Sequence, residues 1–169
     1  MDYAKLAIFF GLLAILTFLA WYVGFRRSDR NAEALPTDAV VLIQTTSGDI
    51  SVPVELARNS AEKVQGLSDR ESLPKDSGMF FVWDLNVPTS FSMRRMKFPL
   101  DIIFIRGVAA NEGVISSIAA DLPACPGKTV GCPTATAKEA IQYVLEVNGG
   151  YAAERGIEAG DKVSIVFSQ

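Results

Sequence analysis

A single carboxylate inside a hydrophobic run constrains the fold of this chain more than any other feature. Between Phe91 and Ile105 the sequence reads FSMRRMKFPLDIIFI, and Asp101 lies within its apolar second half. An ionised carboxylate is too costly to bury unless it is paired, hydrogen-bonded or used in chemistry. The surrounding structure must therefore provide a partner for Asp101.

Two roles are open for Asp101. In a structural role it accepts backbone N–H groups or pairs with Arg70, Arg94 or Arg95 and so fixes a loop. In a catalytic role it acts with Glu146, because glycoside cleavage requires two carboxyl groups in different environments. The catalytic candidates are therefore Asp101 and Glu146.

A basic segment, formed by Arg94, Arg95 and Lys97, precedes the apolar run. It breaks the strand pattern and is interpreted as a bend exposed to solvent, or as a binding site for phosphate, a carboxylated glycan or lipid headgroups. The candidate ligand-binding residues are Arg70, Met93, Arg94, Arg95 and Asp101.

The chain has no histidine, which removes the commonest general base and zinc ligand. Met79, Met93 and Met96 lie among phenylalanines and could suit a soft metal, but core packing is the better interpretation. We expect no metal site and no cofactor.

The N-terminus contains an uncharged apolar run from Leu6 to Phe25, long enough to cross a bilayer as a helix. It ends in aromatic residues rather than the small residues of a signal-peptide cleavage site. The sequence predicts a transmembrane anchor over residues 1–25, a tether over 26–39 and one domain over 40–169.

Cys125 and Cys132 lie in a Pro- and Gly-rich stretch and are predicted to form a disulfide, which would place the domain outside the cytoplasm. Arg26, Arg27 and Arg30 follow the apolar run and favour the opposite orientation under the positive-inside rule. We give the cysteines more weight.

The charge of the domain argues against nucleic acid as a partner. From Pro36 onward the chain has 12 Lys and Arg against 16 Asp and Glu, a net charge of −4. The expected partners are the membrane, through the apolar run, and an unidentified ligand or protein of the cell envelope.

Periodicity predicts a mainly β domain with two short helices. Apolar alternation indicates a hairpin over 40–56, strands at 79–83, 91–93, 100–105 and 114–118, and further strands at 141–147 and 162–167. Asn59 and Glu62 match a capping box, and a second helix over 151–155 is expected to be capped by Asn148 and ended by Gly156. The predicted fold is a compact, antiparallel, barrel-like sheet.

Several short motifs in order resemble the DUF192 family, also called UPF0127, over about residues 50–166. The matching stretches are Gly66-Leu67 with Arg70, Gly78-Met79 with Phe81-Val82, Phe91-Ser92-Met93, the run from Pro99 to Ile105, Cys125 and Cys132, Val144-Leu145-Glu146, and Gly156-Ile157 with Gly160-Asp161. The resemblance implies a compact β-rich fold and a membrane or extracytoplasmic setting. It implies no reaction.

Two departures from the family pattern affect side chains that could contact a ligand. Ser92 and the pair Arg95-Met96 replace a tryptophan and an Asn-Thr pair, and Ser68-Asp69 stand where a methionine and an aromatic residue are usual. The expected function is a membrane-tethered, extracytoplasmic binding or structural accessory domain of the cell envelope. The alternative is a carboxylate-dependent envelope enzyme acting on glycans.

Overall fold

The computed structural model describes residues 37–127 and 130–168, which belong to one compact unit spanning Leu35–Gln169. The predicted anchor and nearly all of the tether lie outside the described residues. Within the described ranges, no helix combines the length and apolar character needed to cross a membrane.

The strands in the described residues are β1 (Ala39–Thr45), β2 (Gly48–Ala57), β3 (Gly78–Val87), β4 (Ser90–Ser92), β5 (Leu100–Ala109), β6 (Glu112–Leu122), β7 (Thr134–Thr136), β8 (Ile141–Asn148) and β9 (Lys162–Phe167). Seven of them form a ring-like sheet in the order β1-β2-β3-β8-β5-β6-β9. Strands β4 and β7 form a separate two-stranded sheet.

The sequence prediction of a mainly β domain is confirmed, with one correction to the antiparallel pattern. The β1–β2 hairpin forms as expected, and β5 is a central strand between β6 and β8. Strands β2 and β3 are parallel, with Val54 opposite Gly78. A parallel pair requires a long crossover, which residues 58–77 provide.

Two short helices accompany the sheet, α1 (Ser60–Gln65) and α2 (Tyr151–Arg155). The predicted capping box is present, because the Asn59 side chain accepts from the Glu62 N–H and the Glu62 carboxylate accepts from the Asn59 N–H. Helix α2 ends at Gly156 in a left-handed conformation, also as predicted.

Asn148 is not the cap of α2. The N-cap is Gly150, and the Asn148 amide instead donates to the carbonyls of Leu73 and Pro74. A glycine is favoured at position 150 because its φ is 82°, which a residue with a Cβ rarely adopts.

The two faces of the sheet carry separate apolar cores. The first contains side chains from all seven strands of the ring and from α2, and includes Phe80, Ile103 and Leu145. The second packs on the other face of β3, β5 and β8, beneath the segment that carries β4, β7 and the cysteines. Met79, Met93 and Met96 are all buried in this second core, which agrees with the packing interpretation.

The expected disulfide between Cys125 and Cys132 is present, and it closes a loop that packs over the second core. Three backbone hydrogen bonds attach this loop to the basic segment: the Met93 N–H donates to the Pro133 carbonyl, the Arg95 N–H to that of Cys125, and the Cys125 N–H to that of Met96. The chain bends at Arg95, whose φ is 64°. The bend and the disulfide loop therefore form one connected unit.

Candidate functional site

Asp101 is fully buried and its two oxygens accept three backbone N–H groups. Oδ1 accepts from Asp121 at 2.7 Å and from Gly150 at 2.9 Å, and Oδ2 accepts from Ala152 at 2.7 Å. These donors lie near the end of β6 and at the start of α2. The carboxylate thus holds the end of β6 and the start of α2 to β5, and it needs no arginine as a partner.

Glu146 lies on the opposite face of the sheet from Asp101. Side chains opposite each other in an antiparallel pair point to the same face, and successive side chains alternate. Asp101 is opposite Val147, whereas Glu146 is opposite Ile102. The two carboxyl groups therefore do not share a site, and the expected acid–base pair of Asp101 and Glu146 is not assembled.

A cleft of about 550 Å³ opens on the Glu146 side. It lies between α1, the outer face of β3 and the β4 segment. Its lining residues are Ser60, Lys63, Val64, Gln65, Gly66, Leu67, Ser68, Phe81, Trp83, Thr89, Ser90, Phe91, Ser92, Arg94, Met96 and Glu146. Clefts of this volume hold small organic ligands.

Three aromatic rings form one wall of the cleft. Phe91 meets Phe81 edge to face with ring centroids 4.8 Å apart, and the Trp83 ring lies 6.4 Å from that of Phe81. The Lys63 ammonium lies 4.7 Å from the centroid of the Trp83 ring. Phe81 is buried, while Trp83 and Phe91 remain partly open to solvent.

Glu146 contributes the only carboxyl group that lines this cleft among the residues that the structure describes. Its residue is 6% exposed, and burial raises its pKa to about 8. Among the described residues, no hydrogen-bond donor or cation contacts its carboxyl group. Glu146 is therefore mostly protonated at neutral pH and can offer an O–H donor to a molecule in the cleft.

Gly66 keeps the space above Glu146 open. A Cβ built on Gly66 would lie 3.4 Å from the Phe81 ring and 4.0 Å from the Glu146 carboxyl group. Its φ of 48° at the end of α1 also strains any larger residue. A side chain at this position would narrow the cleft directly over the carboxyl group.

Of the five residues predicted to bind a ligand, only Arg94 lines the cleft. Arg70 is paired with Glu55 at 2.8 Å and Arg95 with Asp69 at 2.8 Å. Met93 is buried in the second core and Asp101 is bonded on the other face.

Sequence reasoning missed Lys63, Trp83 and Gly66 as cleft residues and assigned Phe91 only a packing role. The motif Gly66-Leu67 is part of the family resemblance, but no local signal places it beside Glu146, which is eighty positions further along the chain. Within residues 37–127 and 130–168, no group of three acidic or cysteine ligands could hold a metal ion.

Comparisons with known proteins agree with the fold. The model of the DUF192 family, described as "Uncharacterized ACR", matches residues 42–165. No curated protein matches the chain.

Solved structures that are similar to this chain include the following two. A protein of unknown function from Novosphingobium aromaticivorans is 38% identical, with a TM-score of 0.64, over 74% of this chain and 83% of that one. A candidate transcription regulator from Sinorhizobium meliloti is 28% identical, with a TM-score of 0.65, over 78% of this chain and 96% of that one. Because the family model covers most of its length and a solved relative is 38% identical to it, the chain belongs to the DUF192 family.

Proposed function

We propose that this protein is a membrane-tethered, extracytoplasmic binding domain whose cleft holds a small molecule without transforming it. The observation that carries this proposal is Glu146, a buried carboxyl group that faces an aromatic cleft and has no partner among the described residues. Burial raises the pKa of Glu146 and no partner offsets this effect, so the ionised form of the carboxyl group destabilises the fold. Such a cost is typical of a site that a ligand completes.

The composition of the cleft favours binding over hydrolysis. Carboxylate-dependent glycoside cleavage needs a second acid on the other side of the scissile bond. Among the described residues, Glu146 is the only carboxyl group in the lining, and Asp101 is saturated by three N–H donors on the other face. The glycan-directed enzyme is therefore not favoured.

The setting of the domain is part of the same proposal. The apolar run from Leu6 to Phe25 supports a membrane anchor, and the disulfide supports an oxidising compartment. The description of the Sinorhizobium meliloti relative as a candidate transcription regulator is not carried over, because the net charge of −4 from Pro36 onward disfavours a nucleic-acid surface.

Equilibrium dialysis tests the binding function. The full-length chain in detergent is dialysed against a small-molecule extract of the source cells, and both sides are compared by mass spectrometry. We expect the wild-type protein to retain at least one compound that Ser90→Trp does not, because Ser90 lines the cleft and an indole there would fill it.

Ser51→Trp, an exposed change on β2 outside the cleft, is the matched control and should bind like the wild type. Retention that is the same in all three proteins would show that the cleft is not the site. Consumption of a compound with the appearance of a product would instead establish an enzyme.

The orientation of the domain is tested by labelling intact cells. After mild reduction, a membrane-impermeant maleimide should reach Cys132, the more exposed of the two cysteines, without lysis if the domain is outside. Labelling that appears only after lysis would place the domain in the cytoplasm, as the arginines after the apolar run suggest.

A further inference from the structure

We propose that the cleft binds a small organic anion with an apolar ring face, either a carboxylate or a phosphate ester. The carboxylate or phosphate group of the ligand contacts Arg94 and Lys63, and its ring lies against Trp83 and Phe91. This inference rests on the proposed binding function and names the class of ligand.

The first argument is the pairing of the basic residues. Among the described residues, Arg95 pairs with Asp69, Lys97 with Glu71 and Arg70 with Glu55. Arg94 belongs to the same basic segment, yet no carboxylate among the described residues pairs with it. Arg94 is exposed and lines the cleft, and its guanidinium is free to take a carboxylate or phosphate through two parallel hydrogen bonds.

The second argument is the charge of the cleft as a whole. Its ionisable lining residues are Lys63, Arg94 and Glu146. Because burial raises the pKa of Glu146 to about 8, the lining has two positive charges and almost no negative charge near neutral pH. This excess is unusual in an acidic domain and favours an anion over a neutral or cationic ligand.

The third argument is the relative position of charge and ring. Lys63 lies over Trp83, with its ammonium 4.7 Å from the ring centroid, and the Phe91 ring lies 6.3 Å from that of Trp83. An anion that reaches Lys63 therefore brings any attached apolar ring against this aromatic wall. The protonated Glu146 carboxyl at the base of the cleft can donate its O–H to an oxygen of the ligand.

The fourth argument is preorganisation of the Arg94 segment. The backbone of Arg94 forms a β-bridge with Cys125, and the hydrogen bonds of Arg95 and Met96 to Cys125 fix the residues on its C-terminal side. The disulfide closes the loop that provides these partners. A backbone held in this way lowers the entropy cost of placing the guanidinium on a ligand.

The test is a set of matched probes followed by the indole N–H resonance of Trp83. The chain has two tryptophans, so Trp21→Phe in the full-length protein leaves Trp83 as the only indole. The probes are benzoate and phenyl phosphate, which are anions with a ring, benzyl alcohol, which is a neutral ring, and inorganic phosphate, which lacks a ring.

We expect benzoate or phenyl phosphate to shift the resonance saturably. Benzyl alcohol and inorganic phosphate should bind at least about tenfold more weakly. The preference between the two ring anions identifies the ligand as a carboxylate or a phosphate ester. Arg94→Gln should weaken binding of the ring anion about tenfold and leave benzyl alcohol unchanged. Arg95→Gln, the neighbouring change outside the cleft, should alter neither.

A pH series with benzoate provides a second measurement. Binding should weaken as the pH rises through about 8, because Glu146 then becomes charged, and Glu146→Gln should remove this dependence. The other charged groups that line the cleft are Lys63 and Arg94, and the sheet neighbours of Glu146, Met79 and Ile102, are uncharged.

Two outcomes would overturn the inference in different ways. Equal affinity for benzyl alcohol and benzoate, or no effect of Arg94→Gln, would reject an anionic ligand and leave the binding function standing. Failure of all four probes to bind the wild-type cleft, together with no compound retained in dialysis, would reject both.

Discussion

The two buried acids of this domain lie on neighbouring strands and have opposite surroundings. Asp101 faces the core of the ring and accepts three N–H groups, whereas Glu146 faces the cleft and has no partner among the described residues. Burial is nearly the same for both, at 0% and 6% exposure. Hydrogen bonding, rather than burial, thus separates a carboxylate that stabilises the fold from one that leaves a site open.

The largest expected effect is on the Asp101 side. Asp101→Asn should lower the free energy of unfolding by about 4 kcal/mol or more, because an amide nitrogen would replace an acceptor of charge-assisted hydrogen bonds. Urea unfolding followed by circular dichroism measures this. Asp49→Asn, an exposed control, should change stability by about 0.5 kcal/mol or less.

A loss as small as that of the control would mean that Asp101 does not hold β6 and α2 to β5. The contrast between the two acids would then disappear.

The second effect is the pH dependence that Glu146 causes. Its pKa is about 8 when folded, above the ordinary value of 4.5. Between these values the folded protein keeps a proton that the unfolded chain releases, so stability falls as the pH rises through this window. A pKa change from 4.5 to about 8 corresponds to about 5 kcal/mol, and because water in the open cleft hydrates part of the charge we expect a loss of about 3 kcal/mol between these pH values. Above pH 8 the carboxyl group is deprotonated in both the folded and the unfolded protein, so stability levels off.

Glu146→Gln keeps the shape but cannot ionise, so the difference between its stability and that of the wild type isolates the contribution of Glu146. Urea unfolding of both proteins across this pH range is the measurement. Parallel pH profiles would show that Glu146 titrates normally and is solvated in the cleft.

The third effect concerns the disulfide next to the cleft. Replacing Cys125 and Cys132 with serine should cost about 2.5 kcal/mol through the entropy of the unfolded chain. Hydrogen exchange should quicken at Arg95 and Cys125, whose N–H groups donate within this unit. The amides of Asp121 and Ala152, bonded to Asp101, should keep their relative protection.

Equal loss of protection at both sets of amides would mean that the two faces unfold as one cooperative unit. The two faces would then differ in the hydrogen bonding of their buried acids and not in local stability.

The smallest effect is at the start of α1, on the rim of the cleft. Asn59→Ala removes the acceptor of the Glu62 N–H and should cost about 1 kcal/mol. Binding of a cleft ligand should weaken as well, because Lys63 lies on the same helix and Gly66 ends it. Thermal unfolding and the Trp83 resonance measure the two consequences.

The control for this variant is Ser51→Ala, an exposed change on β2 that should leave both stability and binding unchanged. A loss above about 3 kcal/mol in Asn59→Ala would show that α1 is integral to the fold rather than a marginal wall of the cleft.

Local patterns predicted the elements of this fold well. Alternation in β2 and β9, the Asn59–Glu62 capping box and the left-handed Gly156 each depend on residues close together in sequence. The parallel β2–β3 pair was missed because strand direction depends on how a long crossover packs, which periodicity does not record.

The site was harder to predict because its parts are distant in sequence. Arg94 stands out by its charge, but Lys63 and Trp83 give no signal of proximity to it. Asp101 and Glu146 look alike in the sequence, because both are acids in apolar strands. The register of β5 on β8 separates them, since a shift of one residue moves a side chain to the other face.

The sequence by itself determined that Asp101 must have a partner, that the domain is mainly β and that its two cysteines are spaced so that they can form a disulfide. These follow from the cost of buried charge, from apolar periodicity and from local spacing. Only the tertiary structure decided which partner Asp101 takes and that Glu146, rather than Asp101, faces a cleft. Strand register and long-range packing set both, because they alone fix which face each side chain occupies.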